Sequence, residues 1–189
     1  MRVLVITPPV PVITTDEAKD HLRILTGDED ALVDSLVAAA TAHIDGPDGW
    51  LGRAIGVQTL ECYLPAFGCT SIGLPYPPAI DVTEIGYVDA AGATVTLDSA
   101  AYELRGNLLR PSWPNAWPSA SWRGAGGETV RIRYRAGYET VPAPIRAAIL
   151  LMVGDLYAYR ETAVTGTIAA NIPMSTTVQA LLSPYQVWA

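Results

Sequence analysis

The hydrophobic pattern of the first fifty residues predicts two helices. Thr14 and Glu17 form a capping-box pair, which predicts a short helix over about residues 16–24. Thr26 and Glu29 repeat this spacing and predict the start of a longer helix. The apolar residues of the longer helix recur at the spacing of one helix face: Val33, Leu36, Val37, Ala40 and Ile44. This stripe is the predicted core face of the second helix.

The pattern changes between Gly56 and Gly137, where apolar and polar residues alternate as in antiparallel strands. Alternation is clear over residues 57–64 and 80–88, and residues 89–92 are typical of a hairpin turn. Gly106 and Asn107 predict a second, two-residue hairpin turn. The proline-rich residues 74–78 predict a loop or a sheet edge.

A second helical region follows residue 142. Residues 145–153 are apolar on nearly every side, which indicates burial against a neighbouring subunit as well as against the chain's own sheet. Residues 174–182 predict a last short helix. We therefore expect one α+β domain over residues 1–189, with helices at about 15–53, a β region at about 56–137, helices at about 143–183 and a tail at 184–189.

The chain is acidic, with a net charge of -7, and its acidic residues are unevenly distributed. Residues 1–50 contain nine carboxylates against Arg2, Lys19 and Arg23, whereas the remaining chain is close to balanced. A protein that grips phosphates has the opposite charge, so we expect no direct binding of the DNA backbone. The apolar opening of the chain stops at Pro8, so we expect neither a secretory signal nor a membrane span.

Motifs that carry chemistry are weak throughout, and we predict no enzyme, no cofactor and no metal site. His21 and His43 lack the spacing of metal ligands. The glycines of residues 124–127 precede a predicted strand, whereas a phosphate-binding loop is followed by a helix whose N-terminal amides bind the phosphate. A converging pair of carboxylates, as in glycoside hydrolases, is the enzyme alternative. Cys62 and Cys69 favour reduced thiols in a cytoplasmic setting, with a hairpin disulfide as the alternative.

Two groups of residues are candidates for contacts with partners. Arg131, Arg133 and Arg135 alternate with apolar residues, which places all three side chains on one face of a strand, either solvated or facing the acidic helices of another subunit. The second group is aromatic, and its members lie in one loop or near the C-terminus. They either anchor an interface or, for the loop, fold back onto the sheet: Trp113, Trp117, Trp122, Tyr185 and Trp188.

An ordered series of segments resembles the head-tail connector (adaptor) proteins of long-tailed bacteriophages and gene transfer agents. The series covers nearly the whole chain, and no single segment of it is specific. It comprises residues 11–24, 30–40, 51–55, 58–59, 74–78, 85–89, 113–114, 135–138, 141–145, 157–161 and 181–185. The chain departs from the family at residues 45–50 and in residues 112–122, the Trp-rich loop that contains Trp113, Trp117 and Trp122.

The resemblance implies a structural virion protein at the head-tail junction, assembled in the host cytoplasm. Family members fold as a small helical bundle with an inserted antiparallel β region. They form a ring of about a dozen copies beneath the portal protein, extend the DNA channel and dock the next head-completion (stopper) or tail protein. An acidic ring would let DNA pass without sequence-specific binding, because its wall repels phosphates. The alternative is a tail-tube or baseplate component, or an assembly factor.

Overall fold

The computed structural model describes residues 1–68, 70–120, 127–159 and 175–187 and divides the chain into two compact units. Unit 1 comprises Met1–Val10 and Arg53–Glu139, and unit 2 comprises Pro11–Gly52 and Thr140–Ala189. Each unit is therefore built from two separate stretches of the chain.

Unit 1 is a β structure. Its strands are β1 (Arg2–Thr7), β2 (Gln58–Leu64), β3 (Ile72–Gly73), β4 (Ala79–Val88), β5 (Thr94–Thr96), β6 (Tyr102–Arg105), β7 (Leu108–Pro111) and β8 (Val130–Ala136). Five of them form one sheet in the order β1-β2-β8-β4-β5, and three form a second sheet in the order β3-β7-β6. Every pair of neighbouring strands is antiparallel.

The core of unit 1 lies on one face of the five-stranded sheet. Side chains from β2, β4, β7 and β8 are fully buried there, together with residues of the connecting loops. Its largest buried members are Leu60, Ile85, Leu109, Ile132 and Tyr134. The Tyr134 hydroxyl donates a hydrogen bond to the carbonyl oxygen of Pro75 at 2.7 Å, so the one polar atom of this buried ring has a partner.

The two predicted hairpins are confirmed. Strands β4 and β5 pair across the turn at residues 89–92, and the Asp89 carboxylate accepts hydrogen bonds from the N–H groups of Ala91 and Ala93. Strands β6 and β7 pair across Gly106 and Asn107, and Gly106 has a φ of 60°. Positive φ is the conformation that favours glycine at such a turn.

Strand β1 was not predicted. Residues 3–6 form a continuous apolar run without the alternation that distinguishes a strand, and prolines follow Thr7 at once. Pairing with β2 decides its conformation, from Arg2 opposite Tyr63 to Val5 opposite Leu60. This pairing joins residues far apart in sequence, and no local pattern could have indicated it.

Unit 2 is helical. Its helices are α1 (Thr15–Leu22), α2 (Asp30–Ile44), α3 (Ala143–Ala158) and α4 (Thr176–Leu182), and a 3-10 turn follows at Ser183–Tyr185. Helix α3 contacts the other three. In α2 the predicted stripe is buried at Val33, Val37, Ala40 and Ile44 and half-buried at Leu36.

One of the two predicted helix starts in unit 2 is correct. The Thr14 side chain accepts a hydrogen bond from the N–H of Glu17, which is one half of the capping box, and the Glu17 carboxylate binds Arg146. The second cap was wrong: α2 begins after Glu29, and no side chain caps it. The Asp30 N–H instead donates to the Gly27 carbonyl oxygen at 3.3 Å, so a backbone turn precedes the helix.

Helix α3 is covered on one stripe and more exposed elsewhere. Its fully or nearly fully buried residues recur at i, i+3, i+4, i+7 and i+8: Ile145, Ala148, Ile149, Met152 and Val153. Leu150 and Leu151 are half-buried, and Leu156 is exposed. The prediction that a neighbouring subunit covers the other faces stays a prediction, as do the single domain and the bundle with an inserted β region.

Candidate functional site

One face of the five-stranded sheet carries a row of ion pairs. Strand β8 lies between β2 and β4, and its apolar residues point into the core. Arg131, Arg133 and Arg135 occupy the alternate positions, so the prediction of a single arginine face is confirmed. The register sets Arg133 opposite an acidic residue on each neighbouring strand and Arg135 opposite one on β4, whereas Arg131 reaches its carboxylate partner diagonally.

Glu61 of β2 lies at the centre of this face, with its side chain almost fully buried. Arg133 donates to it from Nε at 2.8 Å and from Nη2 at 2.7 Å, and the Tyr63 hydroxyl donates to its other oxygen. Arg131 Nη1 lies 3.9 Å away. Burial alone would raise the pKa of Glu61, but these hydrogen bonds and the two guanidinium charges outweigh it and lower the pKa.

The other arginines of β8 also have carboxylate partners within unit 1. Arg131 donates to Glu84 of β4, and Arg135 makes a forked contact with Asp81, with Nε lying 3.0 Å from Oδ1. The hydrogen bond from Arg135 lowers the pKa of Asp81. The β8 guanidiniums thus already bind carboxylates of their own chain, which accounts for the arginine pattern without a second subunit.

Arg2 extends the row of ion pairs to the edge strand β1. It donates to Glu128 from Nε at 2.7 Å and from Nη2 at 2.6 Å, and its guanidinium lies 4.4 Å from the centroid of the Tyr63 ring. The hydrogen bond from Arg2 lowers the pKa of Glu128. Four arginines and four carboxylates therefore neutralise one another on this part of unit 1.

Two tryptophans of the Trp-rich loop, Trp113 and Trp117, have different environments. The Trp117 ring stacks on Phe67 with 5.0 Å between centroids and a 7° interplanar angle, and its Nε1 donates to the Thr70 carbonyl oxygen at 3.0 Å. Trp113 is 94% exposed. Trp117 thus folds back onto its own unit, whereas Trp113 is presented to solvent. Trp122 lies outside the described residues.

A hydrogen-bonded turn holds the backbone on either side of Trp113. The Ser112 N–H donates to the Ala101 carbonyl oxygen at 3.0 Å, and the Asn115 N–H donates back to the Ser112 carbonyl oxygen at 2.7 Å. The Asn115 side-chain amide donates to Ser112 Oγ at 3.1 Å. An exposed indole on a fixed turn loses little conformational freedom on binding, which suits an interface anchor.

The C-terminal segment is held in unit 2 as far as Val187. The Val187 N–H donates to the Leu51 carbonyl oxygen at 2.9 Å, and the Gln186 side chain donates to the carbonyl oxygen of Trp50. Tyr185 is half-buried in the 3-10 turn. These contacts fix the backbone of the segment within unit 2, and the interface role of Tyr185 and Trp188 stays a prediction, with Trp188 outside the described residues.

The remaining candidate groups are possible metal ligands and the two cysteines. Among the described residues, no set of three His, Cys, Asp or Glu side chains could hold a metal ion. Cys62 is a free, buried thiol, and burial raises its pKa to about 12, so it does not ionise near neutral pH. Cys69 lies outside the described residues. No helix in the described ranges is long and apolar enough to cross a membrane.

The fold is shared with chains of gene transfer agent (GTA) particles. One is a chain in the neck of an empty GTA particle computed with C6 symmetry, with a TM-score of 0.76, 24% identity, and coverage of 100% of this chain and 97% of that one. Chains from the virion of a native GTA particle (24% identity) and from the neck of a native GTA particle computed with C12 symmetry (22% identity) give TM-scores of 0.75 at the same coverage.

No protein-family model matches the sequence, and no curated protein matches it. At these identities the structural similarity establishes the fold, over essentially the full length of both chains.

Proposed function

We propose that this chain is a structural virion protein of the head-tail junction, a connector that forms a ring under the portal protein. In this role it extends the DNA channel and docks the next head-completion or tail protein, and it performs no catalysis. The observation that carries the proposal is the full-length fold shared with chains whose structures are those of GTA necks and virions.

The distribution of charge supports a passage for DNA. Unit 2 contains eleven acidic and four basic residues, whereas unit 1 contains eight of each. The whole net charge of -7 thus belongs to unit 2. In a ring, this unit would supply the wall that repels phosphates and lets DNA slide. A particle structure with Arg131, Arg133 and Arg135 lining the channel would contradict this part of the proposal.

Trp113 and the C-terminal tail are the proposed docking elements. Trp113 combines an exposed indole with a fixed backbone, and we assign it to the contact with a neighbouring protein. For the tail, Trp188→Ala is a sharper test than truncation, because it leaves the hydrogen bond between Val187 and Leu51 in place. Reduced capture of purified portal protein is expected for Trp188→Ala. Unchanged capture would remove the tail from the proposal.

The test of the overall function is removal of the gene from the particle-producing genome. DNA-filled heads without attached tails should accumulate, and the intact gene supplied in trans should restore joined particles. Cryo-electron microscopy of the restored particles should show the chain between portal and tail. Normal particle assembly without the gene, or density for the chain in the tail tube or baseplate, would overturn the proposal.

A further inference from the structure

The two edges of the five-stranded sheet differ in their protection against further strand pairing. Strand β5 has only three residues, and its two threonines are exposed. Strand β1 has six residues, and among the described strands it pairs only with β2. Short polar edges resist pairing with other chains, whereas long apolar edges invite it. The β1 edge is therefore the open edge of this sheet.

The exposed side chains of β1 are apolar on both faces of the strand. Leu4 is 39% exposed, and Val5 and Ile6 are each 44% exposed. No lysine or proline interrupts the strand. A register shift between Val5 and Thr7 disturbs the ladder near Ile6, but Arg2 to Val5 pair regularly with β2. A regular strand with exposed large apolar side chains is a template for strand addition.

Charge restricts the strand that can pair with this edge. Arg2 is the one charged residue of β1, and Glu128 and Tyr63 already engage its guanidinium. The edge is therefore close to neutral, and it offers no ionic partner to a charged segment. A neutral strand with large apolar side chains fits it best, because burying an unpaired charge at such an edge is costly.

We propose that the occupant is β1 of a second copy, added antiparallel about a two-fold axis. This arrangement packs the apolar residues of one strand against those of the other. It also keeps the two Arg2 residues at opposite ends of the paired strands, whereas a parallel, in-register pairing would bring the two arginines together. Antiparallel addition is thus favoured by both the apolar and the charged residues of β1.

This inference goes beyond the proposed function, and only its place before assembly rests on the ring proposed there. A two-fold contact uses the same surface on both copies and closes at a dimer, so it cannot be the contact repeated around a cyclic ring. The β1 pair is therefore a state of the chain before it joins a larger assembly. The state protects the open edge from indiscriminate strand addition.

The test compares two leucines of unit 1 that are equally exposed. Leu4 and Leu108 are both 39% exposed, so Leu4→Lys and Leu108→Lys add the same charge on and off the β1 edge. Mass in solution is measured by light scattering at increasing concentration. The unaltered chain and Leu108→Lys should reach twice 20.1 kDa, whereas Leu4→Lys should stay at 20.1 kDa.

Hydrogen exchange of the β1 amides supplies a second measurement. Exchange should slow with concentration in the unaltered chain and in Leu108→Lys, but not in Leu4→Lys. If circular dichroism shows that Leu4→Lys fails to fold, Ile6→Lys replaces it. A mass of 20.1 kDa for the unaltered chain at every concentration would overturn the proposal. Dimers that persist in the folded β1 variant, or that dissociate equally in Leu108→Lys, would also overturn it.

Discussion

Units 1 and 2 use charge in opposite ways. In unit 1 the numbers of acidic and basic residues are equal, and the arginines of the sheet face bind carboxylates on adjacent strands. Unit 2 has a large acidic surplus, although some of its charges pair, as in the contact of Lys19 with Asp30 at 2.6 Å. The comparison shows that the acidity of the chain is a property of its helical unit alone.

The two units also differ in how charges contribute to the folded state. A buried carboxylate, Glu61, makes the ion pairs of unit 1 part of its internal structure. In unit 2, the stripe of α3 is apolar, and Arg146 of the same helix binds Glu17 and the Val12 carbonyl oxygen at a half-buried position. Substitutions should therefore have their largest effects in different places: apolar contacts in unit 2 and an ion pair in unit 1.

The largest expected effect is in unit 2. Ile149→Ala should destabilise it by about 2–5 kcal/mol, because the side chain is fully buried and its removal leaves a cavity. Leu156→Ala on the same helix is the control and should cost less than about 1 kcal/mol, because Leu156 is exposed. Urea denaturation followed by hydrogen exchange of α3 measures both. Equal losses of unfolding free energy in the two variants would show that the burial of a side chain in α3 does not determine how much it stabilises unit 2.

The next effect is in unit 1. Arg133→Ala should cost about 3 kcal/mol, because it leaves the buried Glu61 carboxylate without its two closest guanidinium contacts. Arg135→Ala, on the same strand face, should cost clearly less than Arg133→Ala, because its partner Asp81 is more exposed than Glu61. Hydrogen exchange of β8 against urea measures the difference. A loss for Arg135→Ala as large as that for Arg133→Ala would refute the distinction.

A smaller effect separates the two tryptophans of unit 1. Trp117→Ala should cost about 2 kcal/mol, because it removes the stacked contact with Phe67 and exposes part of the core. Trp113→Ala should change stability by no more than about 0.5 kcal/mol, since its ring is exposed. Thermal unfolding measures both changes. A strong loss of stability in Trp113→Ala would argue for a structural role for that residue.

The smallest effect concerns pH in unit 1. The pKa values of Glu61, Asp81 and Glu128 are lowered in the folded chain, so the stability that these carboxylates provide is present above their ordinary pKa. It is lost as the pH falls below about 4 and through the lowered values. Hydrogen exchange of β8 at decreasing pH should detect this loss of stability. In Asp81→Asn the stability should depend less on pH, because one of the three carboxylates is absent. A constant stability through this range would contradict the assignment.

Local patterns predicted most of the elements. Alternation identified β2, β4 and β8, turn residues identified both hairpins, and Thr14 located the start of α1. These features depend on residues close in sequence, which is why they can be derived from the chain alone. The one-sided position of the β8 arginines follows from the same period of two.

Features that depend on pairing between distant residues were not predicted. Strand β1 needs β2, more than fifty residues away, and the role of Glu61 needs the register that sets it opposite Arg133. The contrast between Trp113 and Trp117 depends on where Phe67 and Thr70 lie, and no spacing within the loop indicates it. Tertiary context decided each of these cases.

The chain passes from one unit to the other after Val10, after Gly52 and after Glu139. During synthesis, β1 therefore leaves the ribosome long before its partner β2, and β2 leaves long before its second neighbour β8, while α1 and α2 wait for α3. A chain truncated before residue 139 would lack part of both unit 1 and unit 2. Nascent chains of this protein thus carry an incomplete sheet through most of translation, and α1 and α2 wait even longer, until α3 has been made.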